Sequence, residues 1–366
     1  YKANLSHIFI PAEFLTKAGS HSAAKTWDHV EVDVDGVTSS SSLYVTSASS
    51  YSGNHGFCLD NIRLVRTSVP ERGTLRVLSW NIQNGMWADQ ANNYDDFVKF
   101  VKKYDPDICI WCEASSIYKD GTTVSAPAAE RFLPDGWPAL AARYGHSYTA
   151  IGGFRDNFPQ VVTSRYPITT LKKITDTDVS GKPVAHGAGL HSISVRGREI
   201  YVATLHTWPQ SYGYGVKTAD REASSANHEG DYQRQHEMRY VIANTRNSSE
   251  YSAQADWIFA GDFNSRSRID NWFYNLDEAS TALITQDEIL ENTDYVDVIA
   301  EGYKGHFISS TQGNSRIDYV YMSPSLYRDV KSACTVMDIW TLAYKAGTTG
   351  FYYPSDHRPV MVDLQF

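Results

Sequence analysis

Hydrophobic residues follow two different spacings along this chain. From Thr74 onward, short apolar runs typical of buried strands alternate with segments whose apolar residues recur every three or four positions. Strands are predicted at 75–82, 108–112, 147–151, 160–163, 189–195, 199–205, 257–260, 317–322 and 359–364. Helices are predicted at 93–104, where Lys102 and Lys103 occupy the last turn before Asp105 and Pro106, and at 232–245. Many strands with few helices predict two packed sheets covered by helices.

Residues 1–70 have a different pattern, with short alternating apolar and polar stretches separated by turn residues. This pattern predicts a small antiparallel β-module preceding a larger domain at 74–366. The stretch from Cys58 to Leu64 resembles the last strand of jelly-roll carbohydrate-binding modules. A complete jelly roll needs more strands than about 70 residues provide, so part of it would be missing. A structural cap or spacer is an equally good interpretation of this module as a glycan-binding one.

Composition limits the classes of partner. The chain has 366 residues and a net charge of -9, which argues against holding duplex DNA through a broad basic surface but does not exclude a nuclease. The longest apolar runs are shorter than the ~18 residues of a membrane span, so no transmembrane segment is predicted. A start at Tyr1 without Met suggests either a trimmed chain or a mature protein whose signal peptide, if any, has been removed. The Tyr-, Ser-, Thr- and Asn-rich composition favours an extracytoplasmic protein, whether secreted, periplasmic or at the cell surface.

Two cysteines form a C-x-x-C pattern that suggests redox chemistry at first sight. Cys109 and Cys112 lie within one predicted strand, where residues three apart point to opposite faces of the sheet. Core packing therefore explains them better than a reactive pair.

Polar residues close the first two strands of the larger domain. Asn81 ends the first strand, and Glu113 follows the second. A carboxylate at the end of an apolar strand must face solvent, a partner or a metal, because burying it unpaired is prohibitive. Amide and carboxylate oxygens suit a hard cation, with Mg²⁺ as the first candidate and Mn²⁺ or Ca²⁺ as alternatives.

Further polar residues fall at the ends of later strands. His206 follows one strand, and Asp262 and Asn264 follow the next across a small glycine. Asp262 is suited to align or deprotonate a water, and the Asn264 amide to donate to a phosphoryl oxygen. Asp318 opens another strand, where an aspartate beside a histidine would fix the histidine tautomer. Asp356 and His357 precede the closing strand. Each residue alone could be a loop cap, but together they indicate a site.

Other hydrolytic chemistries lack their sequence signals. The chain has no dense Cys and His cluster for zinc, no G-x-S-x-G elbow and no glycine-rich phosphate loop. Serine-hydrolase and P-loop mechanisms are therefore unsupported.

Seven motifs, taken in order, resemble the endonuclease/exonuclease/phosphatase family, which includes deoxyribonuclease I, AP endonucleases, neutral sphingomyelinases and inositol polyphosphate 5-phosphatases. They are SWNIQ at 79–83, DICIWCE at 107–113, SRYPI at 164–168, ATLH at 203–206, GDFN at 261–264, RIDYVYMS at 316–323 and SDHRPV at 355–360. The resemblance covers 74–366 and implies a four-layer α/β sandwich of two mostly antiparallel sheets flanked by helices.

The resemblance also implies roles for the site residues. Metal ligation falls to Asn81 and Glu113, with Asp356 near the cation. Asp262 aligns the water and Asn264 stabilises the phosphoryl group. His357 contacts the scissile phosphate and is oriented by Asp318, while His206 contacts phosphate or protonates the leaving group.

Two departures from the family pattern, one arginine and one aromatic loop bear on which substrate the site would bind. Cys112 replaces the glutamine that usually precedes the metal-binding glutamate, and the inositol-phosphatase signature Pro-x-Trp-Cys-Asp-Arg is absent. Arg165 would contact phosphate or form a structural salt bridge. Trp208 and Tyr212, in the loop after His206, would stack on a sugar, base or lipid headgroup or simply pack the loop.

These observations predict a metal-dependent phosphoester hydrolase that acts by in-line water attack. A small-molecule, lipid or glycan-linked phosphodiester is favoured as substrate. Two alternatives stay open: a DNA or RNA nuclease, and a non-catalytic glycan-binding surface protein that uses the fold as a scaffold.

Overall fold

The structure is a computed structural model. It describes residues 73–115, 134–175, 183–210, 213–215, 217–252, 254–342 and 353–366. Contacts divide the chain into two compact units, 65–340 with 353–366 and 1–64 with 341–352. The strands and helices of the described residues belong to the first unit. The predicted N-terminal β-module and Tyr212 lie outside the described residues, and the predicted domain boundary stays a prediction.

Twelve strands lie in the described residues and form two six-stranded sheets. The first sheet has the order β11-β12-β1-β2-β4-β3 and the second β5-β6-β7-β8-β10-β9. The strands are β1 (Leu75–Asn81), β2 (Ile108–Cys112), β3 (Tyr148–Gly152), β4 (Gln160–Ser164), β5 (Ile168–Ile174), β6 (Ala188–Val195), β7 (Arg198–His206), β8 (Asp256–Asp262), β9 (Val296–Asp297), β10 (Asp318–Met322), β11 (Val330–Thr335) and β12 (Val360–Leu364).

Helices connect many of these strands. They are α1 (Gln83–Met86), α2 (Asp95–Tyr104), α3 (Trp137–Arg143), α4 (Thr218–Ser225), α5 (Glu229–Asn244), α6 (Asn271–Tyr274), α7 (Ile284–Asn292), α8 (Val298–Gly302) and α9 (Pro324–Tyr327). Three-residue 3₁₀ turns lie at Trp87–Asp89, Pro134–Gly136 and Arg268–Asp270. Lys102 and Lys103 lie in the last turn of α2, as predicted, and with Asp95 and Asp96 in its first turn they complement the helix dipole.

Three hydrophobic clusters separate four layers. The alternation of side chains along β1 and β2 divides them between two clusters. Trp80 and Trp111 pack with Phe97 and Trp137 of the helices outside the first sheet. The opposite faces of both strands pack against the second sheet, through residues that include Val77, Ile110, Ile258 and Val320. A third cluster joins the second sheet to α5 and α7. The predicted four-layer α/β sandwich is confirmed.

Three strands were not predicted, and their positions explain why. β5 and β11 lie on the edges of the two sheets, where most of their residues are exposed or only partly buried, so polar residues interrupt the apolar pattern. β9, also at an edge, has only two residues. The cysteine prediction agrees with the structure, since Cys109 and Cys112 are both buried and free. Within the described part of the chain, no helix is long and apolar enough to cross a membrane.

Candidate active site

Two parallel strand pairs place polar residues at one end of each sheet. β1 runs parallel to β2, so that Asn81 pairs with Cys112 and lies beside the following Glu113. β7 runs parallel to β8, and His206 pairs with Asp262 in the same register. Because the carboxyl ends of parallel strands meet at one edge, four predicted site residues follow directly from these two pairings.

Antiparallel neighbours add the remaining residues. β10 begins at Asp318, which pairs with Asp262 at the end of β8. β12 runs antiparallel to β1, with Val360 opposite Ser79, so the segment that precedes β12 and carries His357 reaches the same edge. The residues at the start of β10 and just before β12 therefore lie near the residues that end β1, β2, β7 and β8.

The Asn81 amide links the two sheets by donating hydrogen bonds to two carboxylates. Its Nδ2 donates to Glu113 Oε1 at 3.1 Å and to Asp262 Oδ2 at 2.9 Å, and its Oδ1 accepts from the Gln83 backbone N–H at 3.0 Å. The amide nitrogen therefore faces the carboxylates. Ligation of a metal by the amide oxygen requires the amide to rotate, and this role of Asn81 stays a prediction.

Glu113 is held rigidly by the backbone. It adopts a left-handed conformation with φ of 51°, and its second oxygen accepts from the Asn84 N–H at 2.9 Å. Its own carbonyl accepts from the Gly85 N–H. These contacts keep the carboxylate in place at the end of β2, with a fifth of the side chain still exposed.

His357 and Asp318 form a buried pair. His357 Nδ1 donates to Asp318 Oδ2 at 2.8 Å, and Ser310 Oγ donates to the same oxygen at 2.7 Å. Burial by itself would lower the pKa of His357, but the carboxylates of Asp318 and Asp262 outweigh it and raise that pKa well above the ordinary value. Burial also raises the pKa of Asp318 to about 6, against the lowering effect of His357. We place the proton on His357, whose ring is thereby an imidazolium with a fixed orientation.

The outer nitrogen of His357 faces two further carboxylates. Nε2 lies 3.7 Å from Asp262 Oδ2 and 3.9 Å from Asp356 Oδ1. Asp262 is buried and its Oδ1 accepts from the Asn264 backbone N–H, whereas the Asp356 side chain is 64% exposed. Asp356 therefore borders the cluster from the solvent side.

A divalent cation fits the carboxylates of this donor set. Ligand atoms of Asp262, Asp318 and His357 lie within 4.8 Å of one another. Because the protonated His357 ring has no free lone pair, the carboxylates alone would bind the cation. Asp318 Oδ1 is buried and has no hydrogen-bond partner among the described residues. Together with Glu113 and Asp356, the cluster holds four carboxylates against one imidazolium, and a hard cation would offset this excess of negative charge.

His206 lies on the other side of Asp262. Its Nε2 is 3.8 Å from Asp262 Oδ2 and 4.0 Å from Glu113 Oε1. The ring stacks on His186, with centroids 4.4 Å apart and an interplanar angle of 18°. Burial, and secondarily His206, lower the pKa of His186 well below its ordinary value, so His186 is neutral.

The Asn264 side chain binds the loop that follows His206. Its Nδ2 donates to the Thr207 carbonyl at 3.3 Å, and its Oδ1 accepts from the Gln210 N–H at 3.1 Å. The amide is therefore engaged within the protein, and its predicted donation to a phosphoryl oxygen requires one of these bonds to open. In this structure Asn264 shapes the site by holding residues 207–210.

The structure does not bring Arg165 to the site. Arg165 forms ion pairs with Asp105 and Asp107, which precede β2, whereas Glu113 follows β2. β4 runs antiparallel to β2, so the residue after β4 lies at the opposite end of the sheet from Glu113, a separation of roughly 17 Å over five residues. The predicted phosphate contact is corrected in favour of the salt-bridge interpretation.

The aromatic loop is only partly described. Trp208 is partly buried, and its ring packs edge-on against Tyr214 at 5.2 Å. Its Nε1 donates to the Gly213 carbonyl, and the Arg221 guanidinium lies 5.5 Å from the ring. These contacts favour loop packing as one role of Trp208. Stacking on substrate by Trp208 and Tyr212 stays a prediction.

Sequence reasoning missed Ser310 and His186. Ser310 Oγ accepts from the backbone N–H groups of Ile317 and Asp318 and donates to the Asp318 carboxylate, so it holds the start of β10. Both residues lie in irregular segments that carry no periodic signal. Only the tertiary fold brings these two residues to the site.

The carboxylates and histidines thus form one cluster between the ends of the two sheets. A model of the "Endonuclease/Exonuclease/phosphatase family" matches residues 78–357, and the chain belongs to this family. Family membership supports phosphoester hydrolase activity, and members of the family typically require a divalent metal. A comparison with curated proteins found no significant match.

Solved structures are similar to this chain at low sequence identity. An AP endonuclease from Archaeoglobus fulgidus superposes with a TM-score of 0.52 and 14% identity, over 80% of this chain and 100% of that one. A 3' phosphatase from Neisseria bound to a product DNA hairpin gives 0.47 and 15%, with the same coverage. A 3'-5' exonuclease from Neisseria meningitidis gives 0.46 and 15%, again over 80% and 100%. Of the three, only the AP endonuclease is similar enough to show a shared fold, and at 14% identity it says nothing about the substrate.

Proposed function

We propose that this protein is a divalent-metal-dependent phosphodiester hydrolase in which water attacks phosphorus in line. The observation that carries the proposal is the pairing of Asp318 with His357, which directs the outer nitrogen of an imidazolium toward Asp262. An anionic acceptor and a cationic donor at adjacent positions are what hydrolysis of a phosphoester needs, one for the water and one for the phosphoryl oxygens.

Each residue has a role that follows from its contacts. Asp262 Oδ2 accepts the water proton, while the Asn264 N–H on Oδ1 keeps the carboxylate oriented. The His357 imidazolium donates to a phosphoryl oxygen, and His206, on the opposite side of Asp262, donates to the leaving oxygen. A cation held by Glu113 and Asp356, with Asn81 after amide rotation, would neutralise developing negative charge.

Charge favours a diester over a monoester. A diester brings one negative charge to a site lined by the carboxylates of Glu113, Asp262, Asp318 and Asp356, whereas a monoester brings close to two. A small-molecule, lipid or glycan-linked diester is preferred to duplex DNA, since the chain carries a net charge of -9. An extracytoplasmic location is part of the same proposal and rests on composition alone.

The test is hydrolysis of bis(p-nitrophenyl) phosphate with Mg²⁺, beside p-nitrophenyl phosphate, plasmid DNA and sphingomyelin. We expect diester cleavage that is lost in both Glu113→Ala and Asp262→Ala. The matched control is Glu288→Gln, which alters a buried carboxylate on α7 that pairs with Arg239 of α5. Equal cleavage by wild type and both alanine variants would refute the proposal. Preferred cleavage of plasmid DNA would favour the nuclease alternative. Absence of cleavage of all four substrates would favour the non-catalytic scaffold alternative.

A further inference from the structure

The His206 ring is held mainly by stacking. Its Nδ1 is buried and has no hydrogen-bond partner among the described residues. The ring lies parallel to His186, which in turn packs against the edge of Phe158 at 5.4 Å. A catalytic histidine is commonly oriented by a hydrogen bond to the nitrogen that does not react. The orientation of the His206 ring therefore depends on how the backbone positions His206 and His186 relative to each other.

One buried carboxylate holds the backbone beside both rings. Glu237 of α5 is fully buried; its Oε1 accepts from the Ala185 N–H at 2.7 Å, and its Oε2 accepts from the Trp208 N–H at 2.7 Å. Ala185 directly precedes His186, and Trp208 follows His206 by two residues. A single side chain therefore connects the two segments that carry the stacked imidazoles.

We propose that Glu237 is a positioning residue that sets the His186–His206 stack and thereby aims His206 at the leaving oxygen. This inference rests on the proposed function, because it concerns the same site. The carboxylate is required chemically: two N–H donors need two acceptor oxygens, and a glutamine offers only one. In a Glu237→Gln variant the amide NH₂ would face a backbone N–H, and one of the two segments would lose its anchor.

The groups around Glu237 reinforce this arrangement. Gln233 Nε2 donates to Oε1 at 3.2 Å and to the Pro183 carbonyl at 2.8 Å. Arg234 Nη1 donates to the Trp208 and Pro209 carbonyls, and its guanidinium pairs with Asp231. Burial raises the pKa of Glu237 to about 7, although three hydrogen bonds and Arg234 lower it. The two-acceptor form is therefore lost as pH falls through about 7.

The first experiment compares kcat and KM of Glu237→Gln with those of wild type and Glu288→Gln on bis(p-nitrophenyl) phosphate. Glu288 is also a buried carboxylate at the packing of α5 on α7, but it accepts from Arg239 and Gln235 and holds neither segment of the stack. We expect Glu237→Gln to lower kcat about 10- to 100-fold, as a sub-ångström to ångström misplacement does, with KM within threefold. The acid limb of the kcat profile near pH 7 should also change. A kcat within twofold of wild type overturns the proposal.

A second pair of variants tests the stack itself. His186→Phe keeps an aromatic face against His206, whereas His186→Ala removes it. We expect kcat of His186→Phe within threefold of wild type and kcat of His186→Ala about tenfold lower. Equal activity of the two variants would show that stacking does not position His206.

A third readout separates this inference from the proposed function. In ¹⁵N-histidine-labelled protein, we expect Glu237→Gln to shift the ring nitrogen signals of His186 and His206, assigned with His186→Phe and His206→Gln, while Glu288→Gln leaves them unchanged. If wild type hydrolyses none of the substrates, the proposed function fails, and these signals still decide the positioning role. Unshifted signals in Glu237→Gln overturn it.

Discussion

Replacing Asp318 by Asn removes the negative charge that orients His357 while preserving side-chain size. In the native protein, Asp318 Oδ2 accepts from His357 Nδ1 at 2.8 Å and from Ser310 Oγ at 2.7 Å. An amide oxygen in the place of Oδ2 can accept only as a neutral group, and the NH₂ then takes the buried position of Asp318 Oδ1.

The expected loss of transition-state stabilisation follows from the weaker hydrogen bond between residue 318 and His357. A bond to a charged acceptor contributes ~1.5–3 kcal/mol and a neutral one ~0.5–1.5 kcal/mol, and the lost attraction between buried charges adds to the difference. We therefore expect Asp318→Asn to lose ~2–3 kcal/mol of transition-state stabilisation, which is about 30- to 150-fold in kcat. KM should change little, because the Asp318–His357 hydrogen bond is already present before substrate binds.

The pH profile gives an independent measure of the same effect. Asp318 and Asp262 raise the pKa of His357 well above its ordinary value, so the wild-type imidazolium persists through neutral pH. Without the Asp318 charge, we expect the pKa of His357 to fall, because its main stabilising carboxylate is lost. Activity of the variant should then decline at a lower pH than wild-type activity as pH rises. Steady-state kinetics from pH 5 to 9 and histidine NMR titration measure both quantities.

The matched control is Asp338→Asn. Asp338 is also a largely buried aspartate, and among the described residues it accepts from Lys103 and Tyr104 and contacts no member of the site. We expect wild-type kinetics from this control. A kcat of Asp318→Asn within threefold of wild type, with unchanged circular dichroism and an unchanged His357 pKa, would refute the orienting role of the Asp318 charge.

Three other predictions concern the metal, the corrected residue and acid stability. Chelation should abolish activity and lower the melting temperature, and Mg²⁺, Mn²⁺ or Ca²⁺ should restore both; activity that survives exhaustive chelation would argue against a cation at the carboxylate cluster. Arg165→Ala should leave KM unchanged within twofold and lower the free energy of unfolding by ~1 kcal/mol, because its ion pairs are partly exposed; a several-fold rise in KM would restore the phosphate contact. Burial lowers the pKa of His146 to about 4, so the unfolded chain takes up its proton first, and stability should fall by ~3 kcal/mol as pH decreases from about 6.5 to 4. Urea unfolding at several pH values should show a smaller loss for His146→Gln, and an equal loss would contradict this assignment.

The sequence by itself determined the central strands and the position of most site residues along the chain. Leu75–Asn81 and Ile108–Cys112 are fully buried, so most of their residues are apolar and the pattern is visible locally. Polar residues that end such strands stand out for the same reason, and this is why Glu113, His206 and Asp262 were found. The edge strands β5 and β11 escaped prediction because most of their residues are exposed or only partly buried.

Tertiary structure alone decided which of these residues meet and what holds them. Asp318 and His357 are 39 residues apart, and their contact depends on two strands lying on opposite sheets with a common end. Arg165 shows the converse, because only the antiparallel direction of β4 places it at the far end of the sheet from Glu113. Glu237 looks like any other residue of an α-helix until Ala185 and Trp208 approach it from two distant segments. Local sequence records burial and periodicity, whereas strand order, strand direction and shared hydrogen-bond acceptors are set by long-range pairing.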